Sequence, residues 1–367
     1  MHILAGAISG PGKIQILTKR GRTMKKKFSL LMAVLVLAMA LSACGGNNDS
    51  GSGTPSGTSA PADSGSKAEA VDTNTVAVGA VVIARDDVPE DDIYALTSAI
   101  FENIPTITEQ HAKGGELDLA FASSVTSVPY HPGAAKYFQE KGKTVAAVKD
   151  GAGVGDSKAL TFGTGGETGT YYAFGGVLAG YVSNNAGLSI TAVTSGGSQA
   201  NVEDLNAGDV QLAFVQSDVM SYAYNGERLF DTAVTGFSVA AALYMEQVQI
   251  VTTNPDIKSV ADLAGKSVSI GDRGSGVYFN AIDVLGAYGL GEEDINAVYQ
   301  SFGDSAESLK DGKIDAAFIV AGAPTNAIVD LATSKPVYLV GLDQEHTDSL
   351  LASSPYYSAY TIKAGTY

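Results

Sequence analysis

Two glycine-rich stretches hold the residue types best suited to chemistry. Gly163-Thr-Gly-Gly-Glu-Thr-Gly-Thr-Tyr-Tyr172 carries glycines at 163, 165, 166 and 169, then the hydroxyls of Thr170, Tyr171 and Tyr172. Amides in such a loop come close to a ligand, and the open end of a following helix favours an anionic or strongly accepting group. Ile270-Gly-Asp-Arg-Gly-Ser-Gly-Val-Tyr-Phe279 repeats the device. It adds Arg273, the one arginine inside a glycine loop, whose guanidinium could clamp a carboxylate through two parallel hydrogen bonds. The chemistry this predicts is non-covalent capture of a small acid between two facing loops, with Tyr172 and Tyr278 marking the two sides.

Other polar groups fall near these loops in the pattern. Candidates from the first lobe are Gly166, Thr170, Tyr171, Tyr172, Ser195, Ser198, Gln216, Ser217 and Asp218; from the second they are Arg273, Ser275, Gly276 and Pro324. Gln216 to Asp218 follow the apolar run 210–215, at the carboxyl edge where open α/β sheets bind ligands. The plain alternative is that Ser217 or Asp218 only caps the next helix. Catalytic readings find little support. Position 168 is Thr where a dinucleotide fingerprint needs its third glycine, and no G-x-S-x-G elbow occurs. The histidines, 2, 111, 131 and 346, are scattered. No catalytic residue, metal site or cofactor is therefore expected.

The elements that must position these residues repeat as well. Each loop follows a short apolar run and opens a segment with apolar residues three and four apart: Tyr171, Phe174, Leu178 and Tyr181, then Tyr278, Ile282 and Leu285. Leu205, Gly208, Val210, Ala213 and Phe214 are echoed by Leu309, Gly312, Ile314, Ala317 and Phe318. The pattern predicts two similar α/β lobes, with strands near 159–163, 188–194 and 210–215 in one and 267–270, 296–300 and 314–319 in the other. The apolar runs 239–244 and 248–253 suit sheet and hinge.

Of 367 residues, 45 % are hydrophobic, enough for two cores. The first 43 residues hold seven of the 23 Lys and Arg and no acid, leaving 16 basic against 39 acidic groups from Cys44 onward. That balance makes nucleic acid a poor partner. The single cysteine, Cys44, excludes an internal disulfide. It follows Lys25-Lys-Lys27, an apolar run and Leu41-Ser-Ala, a basic and apolar pattern too short for a bilayer span. Residues 1–43 thus read as an upstream segment plus an export signal, with Met24 as the working start. Residues 44–73 read as a flexible Gly/Ser/Thr-rich linker.

Leu-Ser-Ala-Cys44 resembles the bacterial lipobox, which implies lipidation of Cys44 and an extracytoplasmic protein anchored to the bacterial cell membrane. Several stretches together resemble the solute-binding proteins of TRAP transporters, in the TAXI class. They are the first glycine loop, Thr194-Ser-Gly-Gly-Ser198, Ala213-Phe-Val-Gln-Ser-Asp218, Tyr244-Met-Glu-Gln-Val-Gln249, Asp262-Leu-Ala-Gly-Lys266, Gly274-Ser-Gly276 and Ala321-Gly-Ala-Pro324. The resemblance implies an α/β fold like type II periplasmic binding proteins: two lobes, a two-strand hinge and ligand in the cleft. It further implies TRAP permease membrane subunits as partners and an amino acid or dicarboxylate such as glutamate as ligand. Arg273 has no counterpart in the family pattern.

The order of segments departs from that family. Thr75–Asp87 and Pro129–Ala134 resemble its C-terminal end yet precede the glycine loop, so the chain resembles a circular permutation; a rearranged gene would give the same order. Residues 74–142 and 158–252 would form lobe 1, 143–157 the permutation linker, and 253–367 lobe 2 with the hinge return. Permutation predicts contacts of Val78–Ile83 with the 248–253 run. An enzyme on the same scaffold, or a sensor passing its closed state to a signalling partner, are the alternative functions.

Overall fold

The computed structural model describes residues 71–156 and 159–367. The signal, Cys44 and nearly all of the 44–73 linker lie outside the described residues. Strand β1 (Thr73–Arg85) is followed by helices α1 (Glu90–Phe101), α2 (Ile104–Gln110), α3 (Leu119–Ala122) and α4 (Pro132–Glu140). The first repeat unit then runs β2 (Leu160–Gly163), α5 (Thr170–Asn185), β3 (Ile190–Val193), α6 (Ser198–Ala207), β4 (Leu212–Gln216) and α7 (Ser217–Asn225). Long strand β5 (Phe237–Thr252) leads to the second unit: β6 (Ser267–Ser269), α8 (Val277–Ala287), β7 (Asn296–Val298), α9 (Phe302–Lys310), β8 (Ala316–Ala321) and α10 (Asn326–Ala332). Strand β9 (Tyr338–Leu339), α11 (Gln344–Ser353) and β10 (Ser358–Ile362) complete the chain.

The repeat seen in the sequence is a repeat in space. The sheet order is β3-β2-β4-β1-β5-β8-β6-β7, with β10 on β1 and β9 on β5. Each outer triplet is parallel, with β2 between β3 and β4 and β6 between β7 and β8. Between the triplets, β1 and β5 run antiparallel to each other and to their outer neighbours. This is a mixed α/β fold in two matched halves.

Strands β1 and β5 belong to both halves. Ala80–Ala84 and Phe237–Tyr244 pack into one apolar core with α1, α4, α5 and β4. Val76, Val78, Val248 and Ile250 pack into a second core with α8, β8 and Leu350. The chain therefore crosses from one lobe to the other twice, at Gly79 and at Met245–Gln247. The runs 239–244 and 248–253 are one strand, because the polar residues between them stay in register rather than turning. Val78–Ile83 pairs with Glu246–Val239, while the 248–253 run lies against β8 and meets Val78 through the core that Val78 shares with Val248 and Ile250.

The two ends of the described chain meet. Thr73–Ala77 pairs antiparallel with Ile362–Ser358, and the Asp72 carboxylate accepts from Lys363 Nζ and the Ala364 amide, both at 2.9 Å. Residues 143–156 hold no helix or strand and lean on the turn after β1, where Gly153 donates to Asp86 O and accepts from the Glu90 amide.

Candidate functional site

Four helices begin at one place between the lobes. The starts of α5 (Gly169, Thr170), α6 (Gly197, Ser198), α8 (Gly276, Val277) and α9 (Ser301, Phe302) all line a cavity of about 80 Å³. One water needs roughly 10–15 Å³ on this measure, so the space suits a ligand of a handful of heavy atoms. Helices α5, α6 and α8 start at glycines with no side-chain cap, which leaves first-turn amides for a ligand. Helix dipoles add positive potential at the same point. Gly197 has φ of 110°, a conformation other residues rarely adopt, and a Cβ there would press on Ser275 at 3.3 Å.

The wall beside these helix starts also carries accepting groups. Glu246, at the lobe crossing of β5, lines the cavity and is 2 % exposed. Its carboxylate accepts from the Tyr171 hydroxyl at 2.6 Å. Burial pushes the Glu246 carboxyl up to about 8, a rise that the Tyr171 hydrogen bond only partly offsets. Gln216 lines the same wall; its Oε1 is buried without a protein partner, as is Ser275 Oγ.

Several hydrogen bonds hold the lobes together around this space. Thr170 Oγ1 donates to Gly322 O at 3.0 Å, and the Ala200 amide to Gly274 O at 2.9 Å. Buried Lys113 donates to Ala323 O at 3.0 Å and pairs with Glu116. Gln216 Nε2 donates to Asn280 Oδ1 at 2.9 Å, and Asn280 Nδ2 to Asp218 Oδ2 at 2.8 Å. Phe279 of α8 packs into the first lobe's core against Tyr222 and Phe230.

The cavity gathers Gly166, Thr170, Tyr171, Ser195, Ser198, Gln216, Ser275 and Gly276 from the sequence candidates. The others lie elsewhere. Tyr172 lines an outer depression with Gln110 and Tyr181, and Tyr278 donates to Glu292 and packs on Tyr299. Neither tyrosine faces the gap; the loops beside them do. One residue turns a helix by about 100°, which sends Tyr171 inward and Tyr172 outward. Ser217 Oγ accepts from the Gly79 amide, and Asp218 lies behind Gln216. Pro324 is exposed after a cis peptide. The exposed Arg273 lays its guanidinium over the Tyr299 ring at 4.0 Å, while Asp272 takes the lining position. Glu246, Asp272, Ser301 and Phe302 were missed. For Glu246 the signal was present: a carboxylate set in the strand-like run 239–253.

A model of the NMT1-like family matches residues 57–142 and 162–367. Among solved structures, the chain is similar to the alkanesulfonate-binding protein SsuA of Xanthomonas axonopodis pv. citri bound to MOPS, at 20 % identity and TM-score 0.36, over 51 % of this chain and 61 % of that one. The periplasmic aliphatic sulphonate-binding protein SsuA of Escherichia coli matches at 20 % identity and TM-score 0.33, over 51 % and 60 %. An ancestral arginine-binding protein bound to arginine matches at 17 % identity and TM-score 0.36, over 50 % and 78 %. The chain thus spans about three fifths of the two sulfonate-binding chains.

Proposed function

This chain belongs to the NMT1-like family, and from that premise we propose that it is a solute-binding receptor. It captures a small amino acid or carboxylate between two lobes and releases it unaltered to a membrane transporter. One observation carries the reading: four helix N-termini, three of them uncapped glycine starts, open onto one cavity. Such a group of amides and dipoles favours an acidic group. Lobe closure supplies the free-energy difference that distinguishes the loaded receptor from the empty one.

The finer reading is an extracytoplasmic receptor anchored through a lipid on Cys44 and serving a TRAP permease of the TAXI type. The lipobox-like Leu41-Ser-Ala-Cys44 and the family-like segments support it. The adjacent ends at Asp72 and Ala364 support a permuted order, since they would be contiguous in the unpermuted chain. A thermal-shift screen of amino acids, carboxylates and sulfonates, followed by calorimetry, tests the receptor reading. A ligand recovered intact in a 1:1 complex supports it, and catalytic turnover of that ligand refutes it. Loss of labelled-lipid incorporation in Cys44→Ser tests the anchor.

A further inference from the structure

The cavity is lined by two kinds of group. Helix starts supply N–H donors, and Glu246 and Gln216, beside them, supply oxygens. Glu246 is an acceptor whenever it is ionised. Gln216 is not committed by its chemistry, because a side-chain amide can turn either its oxygen or its NH2 toward a ligand.

Its neighbours make the choice. Gln216 Nε2 is held by Asn280 Oδ1 at 2.9 Å, which leaves Oε1, on a residue that lines the cavity, with no protein partner. Asn280 is itself fixed, because its NH2 donates to Asp218 Oδ2 at 2.8 Å and to the Tyr357 hydroxyl at 2.9 Å. Turning the Asn280 amide over would set its oxygen against the Asp218 carboxylate and its NH2 against that of Gln216. Asp218 and Gln216 come from the first lobe, Asn280 from α8 of the second. The orientation of Gln216 is therefore completed only when the lobes meet. Gln216 is 2 % exposed, and a buried acceptor left empty is costly. A donor on the ligand satisfies it.

We propose that Asn280 is a positioning residue for ligand selection: across the lobe junction it fixes Gln216 with its oxygen toward the cavity. Gln216 then calls for a hydrogen-bond donor on the ligand, which the ammonium of an amino acid supplies beside Glu246. The inference rests on the receptor reading and narrows it, favouring amino acids over acids of the same skeleton that lack nitrogen.

Calorimetry with matched pairs tests this: glycine against acetate, L-alanine against propionate, L-serine against 3-hydroxypropanoate, L-glutamate against glutarate. In at least one pair the native protein should bind the amino acid tenfold or more tightly than its nitrogen-free partner. Asn280→Leu should cut that ratio below threefold by weakening the amino acid, with the nitrogen-free acid kept within threefold. Because Asn280 is buried, Gln216→Met tests the ratio alone, from the other lobe, should Asn280→Leu not fold. Equal binding of both members in every pair that binds, binding of a screen compound but of no amino acid in the pairs, or a ratio that survives both substitutions overturns the inference and leaves the receptor reading standing. If no pair and no other compound of the thermal-shift screen binds the native protein, the receptor reading falls and this inference with it.

Discussion

Gly276 and Gln216 compete for one volume: a Cβ built on Gly276 would stand 1.5 Å from Gln216 Oε1. The glycine is what lets the second lobe's loop close over the first lobe's amide. Gln216 has little freedom to yield, since its NH2 is tied to Asn280 and its backbone amide to Ser198 Oγ at 3.1 Å. Gly276→Ala should weaken ligand binding by tenfold or more, on the order of 1.4 kcal/mol. Calorimetry measures the affinity, and an unchanged affinity would show that Gln216 moves aside freely.

Glu246 makes the stability of the empty protein depend on pH. Its folded pKa of about 8 lies above its ordinary 4.5, so the folded state holds the extra proton between those values. Stability from this group is full below pH 4.5 and is lost as pH rises toward 8. Asp218, raised to about 6 by burial, acts in the same sense at lower pH. His131, lowered to about 4 by burial, acts in the opposite sense below 6.5. The window from 6.5 to 8 therefore isolates Glu246. Melting temperature should fall across it in the native protein and stay nearly flat in Glu246→Gln; equal slopes would refute the assignment.

Phe279 joins the lobes by packing rather than by charge. It sits on α8 of the second lobe, fully buried, with its ring against Tyr222, Phe230 and Tyr278. Phe279→Ala should cost about 3–5 kcal/mol, the usual range for emptying such a site. Denaturant unfolding measures it. A loss under about 1 kcal/mol would mean that the neighbouring rings collapse into the space.

The doubled β-α-β-α-β unit was legible because each copy switches from a short apolar run, through glycine, to helical spacing. The hinge was less so. Met245-Glu-Gln247 interrupts an apolar run and suggests a break, yet β5 carries it through the lobe crossing with Glu246 and Gln247 buried. That is also why Glu246 escaped the list of ligand candidates. Its neighbours in sequence are strand residues, and its partners Tyr171 and Lys113 come from distant segments. Loop membership alone placed Tyr172 and Arg273 among the ligand groups. Side-chain direction, set by one helical step and by an aromatic neighbour, sends both away.

Arg273 gives a test in which the sequence and the structure disagree. Its place in a glycine loop suggests a carboxylate clamp, and loss of that clamp would weaken dicarboxylate binding more than tenfold. In the fold, the guanidinium stacks on Tyr299 at 4.0 Å, and Tyr299 in turn donates to Glu292, as Tyr278 does. This places the cation on an outward aromatic and acidic surface of the second lobe, where such stacking contributes about 0.5–1 kcal/mol. Arg273→Ala should therefore lower stability by about that amount and leave dicarboxylate affinity within threefold. Calorimetry and denaturant unfolding on one preparation separate the two effects. A tenfold loss of affinity would return Arg273 to the ligand, and would require its loop to swing from Tyr299 into the cavity on binding.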